Sequence, residues 1–239
     1  GVNAGNFMPI PDVIRFMADI LRGLEYLHEL NLYHNDIKPK NILIGNANQG
    51  VLTDYGITCD SPSGQPVQPR SAYKLHMAPE VLNSNQISVQ TDIYQVGLTA
   101  FRLLNGIGHI RDKFNALGQG DYYQLVKHGK VVQANDYQPF VPRNFKTVIN
   151  KAVHVDPASR YQSAVEMRRS LERLSYPGYW TTDPCGAFIG HNERYEYRFE
   201  ERVLTAKLFE FTAYKKLKDS GRETKVSVYS EKNLTRKQT

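Results

Sequence analysis

The stretch at residues 91–104 constrains the fold more than any other part of the sequence. Ile93, Val96, Leu98, Ala100, Phe101, Leu103 and Leu104 make it nearly continuous in apolar residues, and Asn105-Gly106 supplies a stop signal. It is long enough for a helix, and a helix apolar on most of its circumference is buried on most sides. At residues 11–32, Val13, Ile14, Met17, Ile20, Leu21, Leu24 and Leu27 recur at three- and four-residue steps behind Pro11 and Asp12, so this segment is an amphipathic helix. The same periodicity predicts helices over 122–127, 143–154 and 164–174.

Strand signals are shorter. Ile42-Leu43-Ile44 and Val51-Leu52 flank the polar run 45–50, which reads as a hairpin, and Pro62, Pro66 and Pro69 make 60–70 an extended loop. After Ser175 the character changes: Tyr176-Pro177-Gly178 breaks the preceding helix, and Tyr195, Tyr197, Phe199, Phe209 and Phe211 alternate with polar residues at period two. Residues 226–229 repeat that style more weakly, and 233–239 read as a frayed end. Trp180, at the junction, is expected to pack the tail against the last helix.

Composition excludes several classes. With 41% hydrophobic and 23% charged residues and a mean hydropathy of −0.50, the chain is neither membrane-embedded, collagenous nor disordered. No run approaches the roughly 18 apolar residues of a spanning helix, and the first residues lack a signal-peptide profile, so a cytoplasmic location is expected. Cys59 and Cys185, the only cysteines, lack zinc-site spacing and read as free thiols. The net charge of +6 is too mild and too spread to name a partner.

The chemistry sits in His34-Asn35-Asp36-Ile37-Lys38-Pro39-Lys40-Asn41, followed by Asp54-Tyr55-Gly56 and then Ala78-Pro79-Glu80. In that order, these segments resemble the catalytic loop, the metal-binding triplet and the end of the activation segment of the protein kinase superfamily. The resemblance runs from Pro11 to Leu174 and implies a Ser/Thr-type protein kinase using ATP and Mg²⁺ on a protein substrate. It implies that Asp36 orients the substrate hydroxyl and accepts its proton, that Lys38 offers a cation to the transferring phosphate, and that Asn41 and Asp54 hold Mg²⁺. His34 belongs to the same loop as a structural residue. Asp92 resembles the aspartate that opens the family's buried central helix and fastens the catalytic-loop backbone. Arg160 resembles the late arginine that pairs with the glutamate of Ala-Pro-Glu, here Glu80.

The resemblance covers only the C-terminal lobe of a kinase, because no glycine-rich phosphate loop, strand lysine or helix glutamate precedes the first helix. The non-Met start favours a fragment whose N-terminal lobe lies upstream, and such a chain alone is expected to be inactive. Two positions depart from the family pattern: Asn35 replaces the catalytic-loop arginine, and Tyr73 stands where Ser/Thr-selective members have Thr. The expected fold is therefore mainly α: a kinase-like helical lobe with small hairpins over 1–175, followed over 176–239 by a small, basic, antiparallel β accessory unit. From His191 onward 12 Lys/Arg face 8 Asp/Glu, which with the interleaved aromatics could form a nucleic-acid surface. The favoured reading makes those aromatics the core of a small sheet instead, because alternation puts them on one side. A catalytically inactive scaffold and a nucleic-acid module acting through the tail are the competing functions.

Overall fold

A computed structural model describes residues 7–205 and 207–234. The chain divides into two compact units, residues 1–175 and 176–239.

The first unit is built around the apolar stretch. Helix α3 (Val89–Asn105) is buried at every residue from Thr91 to Asn105. Its start is fixed by a reciprocal cap: the Ser88 amide donates to Thr91 Oγ1 at 3.0 Å, and Ser88 Oγ accepts from the Gln90 amide at 3.2 Å. Gly106, at φ 98°, releases the chain at the other end. Helix α1 (Ile10–Glu29) presents Val13, Met17, Ile20, Leu21 and Leu24 to the core, packing on α3 and on α6 (Ala164–Glu172) through the latter's Met167 and Leu171. Helix α2 (Pro79–Ser84) and the long α4 (Gly108–Lys127) lie together, and α5 (Arg143–Ala152) packs on α3. The predicted hairpin is present as β2 (Ile42–Ile44) against β3 (Gly50–Leu52), and a second small pair joins β1 (Leu32–Tyr33) to β4 (Cys59–Asp60). Helix α4 begins well before the expected 122–127, and its backbone breaks helical geometry at Gly118 (φ 77°, ψ 166°). Of its residues only Gly108, Ile110, Tyr122 and Val126 are buried, too sparse a stripe to read from sequence.

The Glu80–Arg160 pair lies within this unit. Arg160 is buried, donates to both carboxylate oxygens of Glu80 at 2.9 and 2.7 Å, and spends its other N–H groups on the His154, Val155 and Gln90 carbonyls. Every donor of the guanidinium therefore has an acceptor, the condition under which a buried ion pair is tolerated.

The second unit is an antiparallel sheet in the order β10-β8-β7-β6-β5, with β9 (Glu223–Lys225) also on β8. Its long hairpin is β7 (Tyr195–Thr205) with β8 (Leu208–Leu217), extended by β6 (Phe188–His191) and β5 (Tyr179–Thr182) on one side and β10 (Glu231–Leu234) on the other. Trp180 of β5 reaches across β6 at Gly190 to lie over Phe199 of β7, with centroids 5.4 Å apart, and Phe199 stacks on Phe211 of the adjacent β8 at 5.5 Å.

Several expectations are corrected here. The fold is not mainly α with a small β appendage: it is 43% helical and 21% strand, a mixed α and β chain whose sheet has six strands. The sequence reading undercounted strands because β5 and β6 sit beside Pro177, Gly186 and Gly190 and lack clean alternation. Residues 227–229 form a 3-10 turn rather than a strand. Of the end expected to fray, Asn233 and Leu234 belong to β10, and 235–239 lie outside the described residues, as do residues 1–6 at the start, where no signal peptide is expected.

Helix α3 approaches α5 closely at Gly97, where an added Cβ would meet Ala152 Cβ and Val153 Cγ1, both at 2.8 Å. Gly97→Val is expected to destabilise the protein by about 1–3 kcal/mol through overpacking. Gly23→Ala, on the exposed side of α1 with nothing within 4 Å, is expected to stabilise it by about 0.5–1 kcal/mol. Chemical denaturation of both variants checks the opposite signs.

Candidate active site

Asp92 is fully buried in the first turn of α3. Its Oδ2 accepts from the His34 amide and from His28 Nε2, both at 2.9 Å, and its Oδ1 accepts from the Asn35 amide at 2.8 Å. One turn along, Gln95 Oε1 accepts from the Ile37 amide at 2.9 Å while Gln95 Nε2 donates to the Asn35 carbonyl at 3.1 Å. Thr99 Oγ1 then donates to the Ile37 carbonyl at 3.2 Å. Positions 92, 95, 99 and 102 share one face of a helix, so α3 presents a polar stripe to which the backbone of 34–37 is bonded. The sequence reading found Asp92 and missed Gln95, Thr99 and Arg102. Their helical spacing inside an apolar run was the available signal.

That loop holds Asp36 in place. Its carboxylate, nearly buried, accepts from Lys38 Nζ at 2.8 and 2.6 Å and from Asn41 Nδ2 at 2.8 Å. Asn41 Nδ2 also donates to the Asp36 carbonyl at 2.9 Å, which fixes the amide and turns its Oδ1 away from the carboxylate. Asp36, Lys38 and Asn41 are thus brought together. Asp54 is placed next to them by its neighbour: the Thr53 amide and hydroxyl both donate to the Asn41 carbonyl, at 2.9 and 3.1 Å. Asp54 itself has φ 67°, a left-handed backbone that aspartate tolerates better than most residues. Among the described residues, no hydrogen bond joins Asp54 to Asp36 or Asn41.

His34 Nδ1 accepts from the Asp36 amide at 3.2 Å. Burial lowers the His34 pKa, partly countered by the charges of Asp92, Asp36 and Asp54, so the ring is kept neutral. His76 is buried under the loop. Its Nδ1–H donates to the Ile37 carbonyl at 2.7 Å, so its Nε2 accepts from Arg102 Nη1 at 2.8 Å. Burial first, then the charges of Arg102 and Lys38, push the His76 pKa well down. Asn35, at φ 61°, donates through Nδ2 to the Ser71 carbonyl at 2.7 Å, so the residue in place of the family's arginine ties down the backbone of the following loop.

Chemically, the arrangement offers one desolvated carboxylate with an adjacent cation, and two hard oxygen donors, Asn41 Oδ1 and the Asp54 carboxylate. Among the described residues, no cluster of three His, Cys, Asp or Glu could form a metal cage. Two oxygen donors suit an Mg²⁺ shared with substrate phosphates, which rarely relies on an all-protein cage.

Residues 2–170 match the protein kinase domain family. The chain belongs to the protein kinase family. That match falls within residues 1–175, the first of the two compact units. Among its relatives are the Aurora/IPL1-related protein kinase 2 of Caenorhabditis briggsae, 30% identical over 61% of this chain and 45% of that protein. The serine/threonine-protein kinase PknF of Mycobacterium tuberculosis is 31% identical over 70% of this chain and 35% of its own length. The tyrosine-protein kinase MasK of Myxococcus xanthus is 27% identical over 87% of this chain and 33% of its own length, an alignment long enough to run past Ser175. The chain spans about a third to just under half of these curated relatives. Among the described residues, no helix is long and apolar enough to cross a membrane.

Because His34 and His76 are buried neutral, the unfolded chain binds more protons than the native one once pH falls below the ordinary histidine pKa of about 6.5. Their stabilisation is present above that pH and is lost as pH drops below it. Thermal melts are expected to show Tm falling from pH 7 to pH 5. His76→Gln, whose amide can keep both hydrogen bonds, should flatten that fall. Parallel slopes for variant and parent would contradict the assignment.

Proposed function

We propose that this chain carries the phosphoryl-transfer centre of an ATP-dependent protein kinase acting on serine or threonine hydroxyls of protein substrates. The observation that carries the reading is the Asp36 carboxylate, held by Lys38 and Asn41 on a loop bonded to α3. Asp36 accepts a hydrogen bond from the substrate hydroxyl, orients its oxygen for attack and takes its proton as the new bond forms. Lys38, already next to Asp36, places a positive charge where the transferring group develops negative charge. Asn41 and Asp54 would hold Mg²⁺, which when bound with ATP neutralises the phosphate oxygens. Because loop positions are set by α3 rather than by induced ordering, the reacting groups need little reorganisation.

The 239 residues contain no glycine-rich phosphate loop, so this reading requires the nucleotide's remaining contacts to come from elsewhere in the gene product. A tyrosine acceptor is the second reading, favoured by the long alignment with a relative named as a tyrosine-protein kinase. Lys38 in a Ser/Thr-type loop supports the first. The nucleic-acid reading of residues 176–239 is not favoured, since Trp180, Phe199 and Phe211 contact one another.

The test is transfer of labelled γ-phosphate from Mg·ATP to a general protein acceptor by the full-length gene product, followed by phosphoamino-acid analysis. Asp36→Asn is expected to reduce transfer by about 10²–10⁴-fold with an unchanged circular dichroism spectrum. Label recovered as phosphoserine or phosphothreonine supports the acceptor assignment. Phosphotyrosine would contradict it, and full activity in Asp36→Asn would contradict the site.

A further inference from the structure

Beside Tyr73 the surface sinks into an open hollow of about 350 Å³. Tyr73, Lys74 and Leu75 line one side, and Arg111, Phe114 and Asn115 of α4 line the other. Its two ionisable lining groups besides Tyr73 are Lys74 and Arg111, both exposed, and no carboxylate lines it. Lys74 has no ion pair among the described residues. Arg111 has only Asp112, at 4.0 Å with both side chains mostly exposed, a pair of little strength. Leu75 and Phe114 add apolar wall suited to a methylene stem.

A third cation reinforces this field from below. Arg102 is buried, yet its hydrogen bonds go to neutral acceptors: His76 Nε2 at 2.8 Å, the Ile107 carbonyl at 3.1 and 2.9 Å, and the side chain of Tyr73 at the wall of the hollow. Among the described residues, no carboxylate pairs with it, and it lies within electrostatic reach of both Tyr73 and Arg111. A buried guanidinium without a counter-ion leaves its positive potential directed at whatever occupies the nearby surface.

The hollow is also beside the reacting groups. Lys38 Nζ is 2.6 Å from Asp36 Oδ2 and lies 4.4 Å from the centroid of the Tyr73 ring. A polypeptide that places a hydroxyl on Asp36 therefore carries a neighbouring residue over Tyr73 and into the hollow. We propose that this hollow receives an acidic side chain of the substrate polypeptide, close in sequence to the phosphate-accepting hydroxyl, with Lys74 and Arg111 at its carboxylate. The proposal rests on the kinase reading of Asp36 and names the substrate preference of that same centre.

The test uses fluorescent peptides that share one serine and differ only at the flanking residues, which are Glu, Gln or Lys. Binding to the full-length protein is read by anisotropy at low salt. Glu peptides are expected to bind about tenfold more tightly than Lys peptides, with the contrast shrinking at high salt. In the double variant Lys74→Glu, Arg111→Glu, whose exposed positions leave the fold intact by circular dichroism, the preference should reverse. Equal binding of Glu and Lys peptides, or a preference untouched by the double substitution, overturns the proposal. Competition by inorganic phosphate at the same concentration as the Glu peptide would mark a general anion site and overturn it too. Phosphate transfer to the peptides is measured in parallel. Transfer without charge preference defeats this proposal alone, whereas charge-selective binding without transfer supports the hollow and defeats the kinase reading.

Discussion

The buried carboxylate of Asp92 fixes where the reacting groups stand. Taking an ionised carboxylate out of water is expensive unless its lone pairs are used, and here the His34 amide, the Asn35 amide and His28 use them. In return, the backbone at 34–35 is pinned to α3, including the left-handed turn at Asn35. Gln95 and Thr99 repeat the arrangement one and two turns along, and Arg102 extends it through His76 to the same Ile37 carbonyl. A helix otherwise apolar thus acts as the anchor for a polar loop, and the site inherits the rigidity of the core.

Charge distribution follows from that anchoring. At the centre, Asp36 is neutralised by Lys38 and held by Asn41, so the loop presents an oriented but balanced carboxylate. Further out, Lys74, Arg102 and Arg111 have no strong acidic partner among the described residues, which leaves the approach to Tyr73 positive. The Glu80–Arg160 pair differs in kind, because every N–H of its guanidinium is spent on protein oxygens and nothing is left to meet a substrate.

Much of this could be read from sequence, and the remainder fails for identifiable reasons. Helices α1, α3, α5 and α6 announce themselves because each carries a dense apolar stripe, and the 42–52 hairpin because short apolar bursts flank a polar turn. Asp36, Asn41 and Asp54 were visible as a spaced set. Gln95 and Thr99 were overlooked because apolar residues dominate the window that contains them, although a polar stripe at helical spacing inside a buried helix has to find partners. The length of α4 was hidden by the break at Gly118, and the sheet was underestimated because β5 and β6 are short, the first preceded by Gly178 and the second interrupted by Gly190. Nothing local indicates that Trp180 belongs with Phe199, since that contact depends on strand order, which only the folded chain supplies.

Native-state hydrogen exchange of three loop amides tests the anchoring most directly. The His34 and Asn35 amides donate to Asp92 and the Ile37 amide donates to Gln95, although none of the three lies in a helix or strand. If the loop is bonded to the core as described, these amides exchange only through the large-scale opening that also exposes the interior of α3, and their protection matches that of amides such as Leu98 and Phe101. Exchange at the rate of the exposed 60–70 loop would show that the loop opens independently of the helix, and would contradict the claim that α3 sets the geometry of the site.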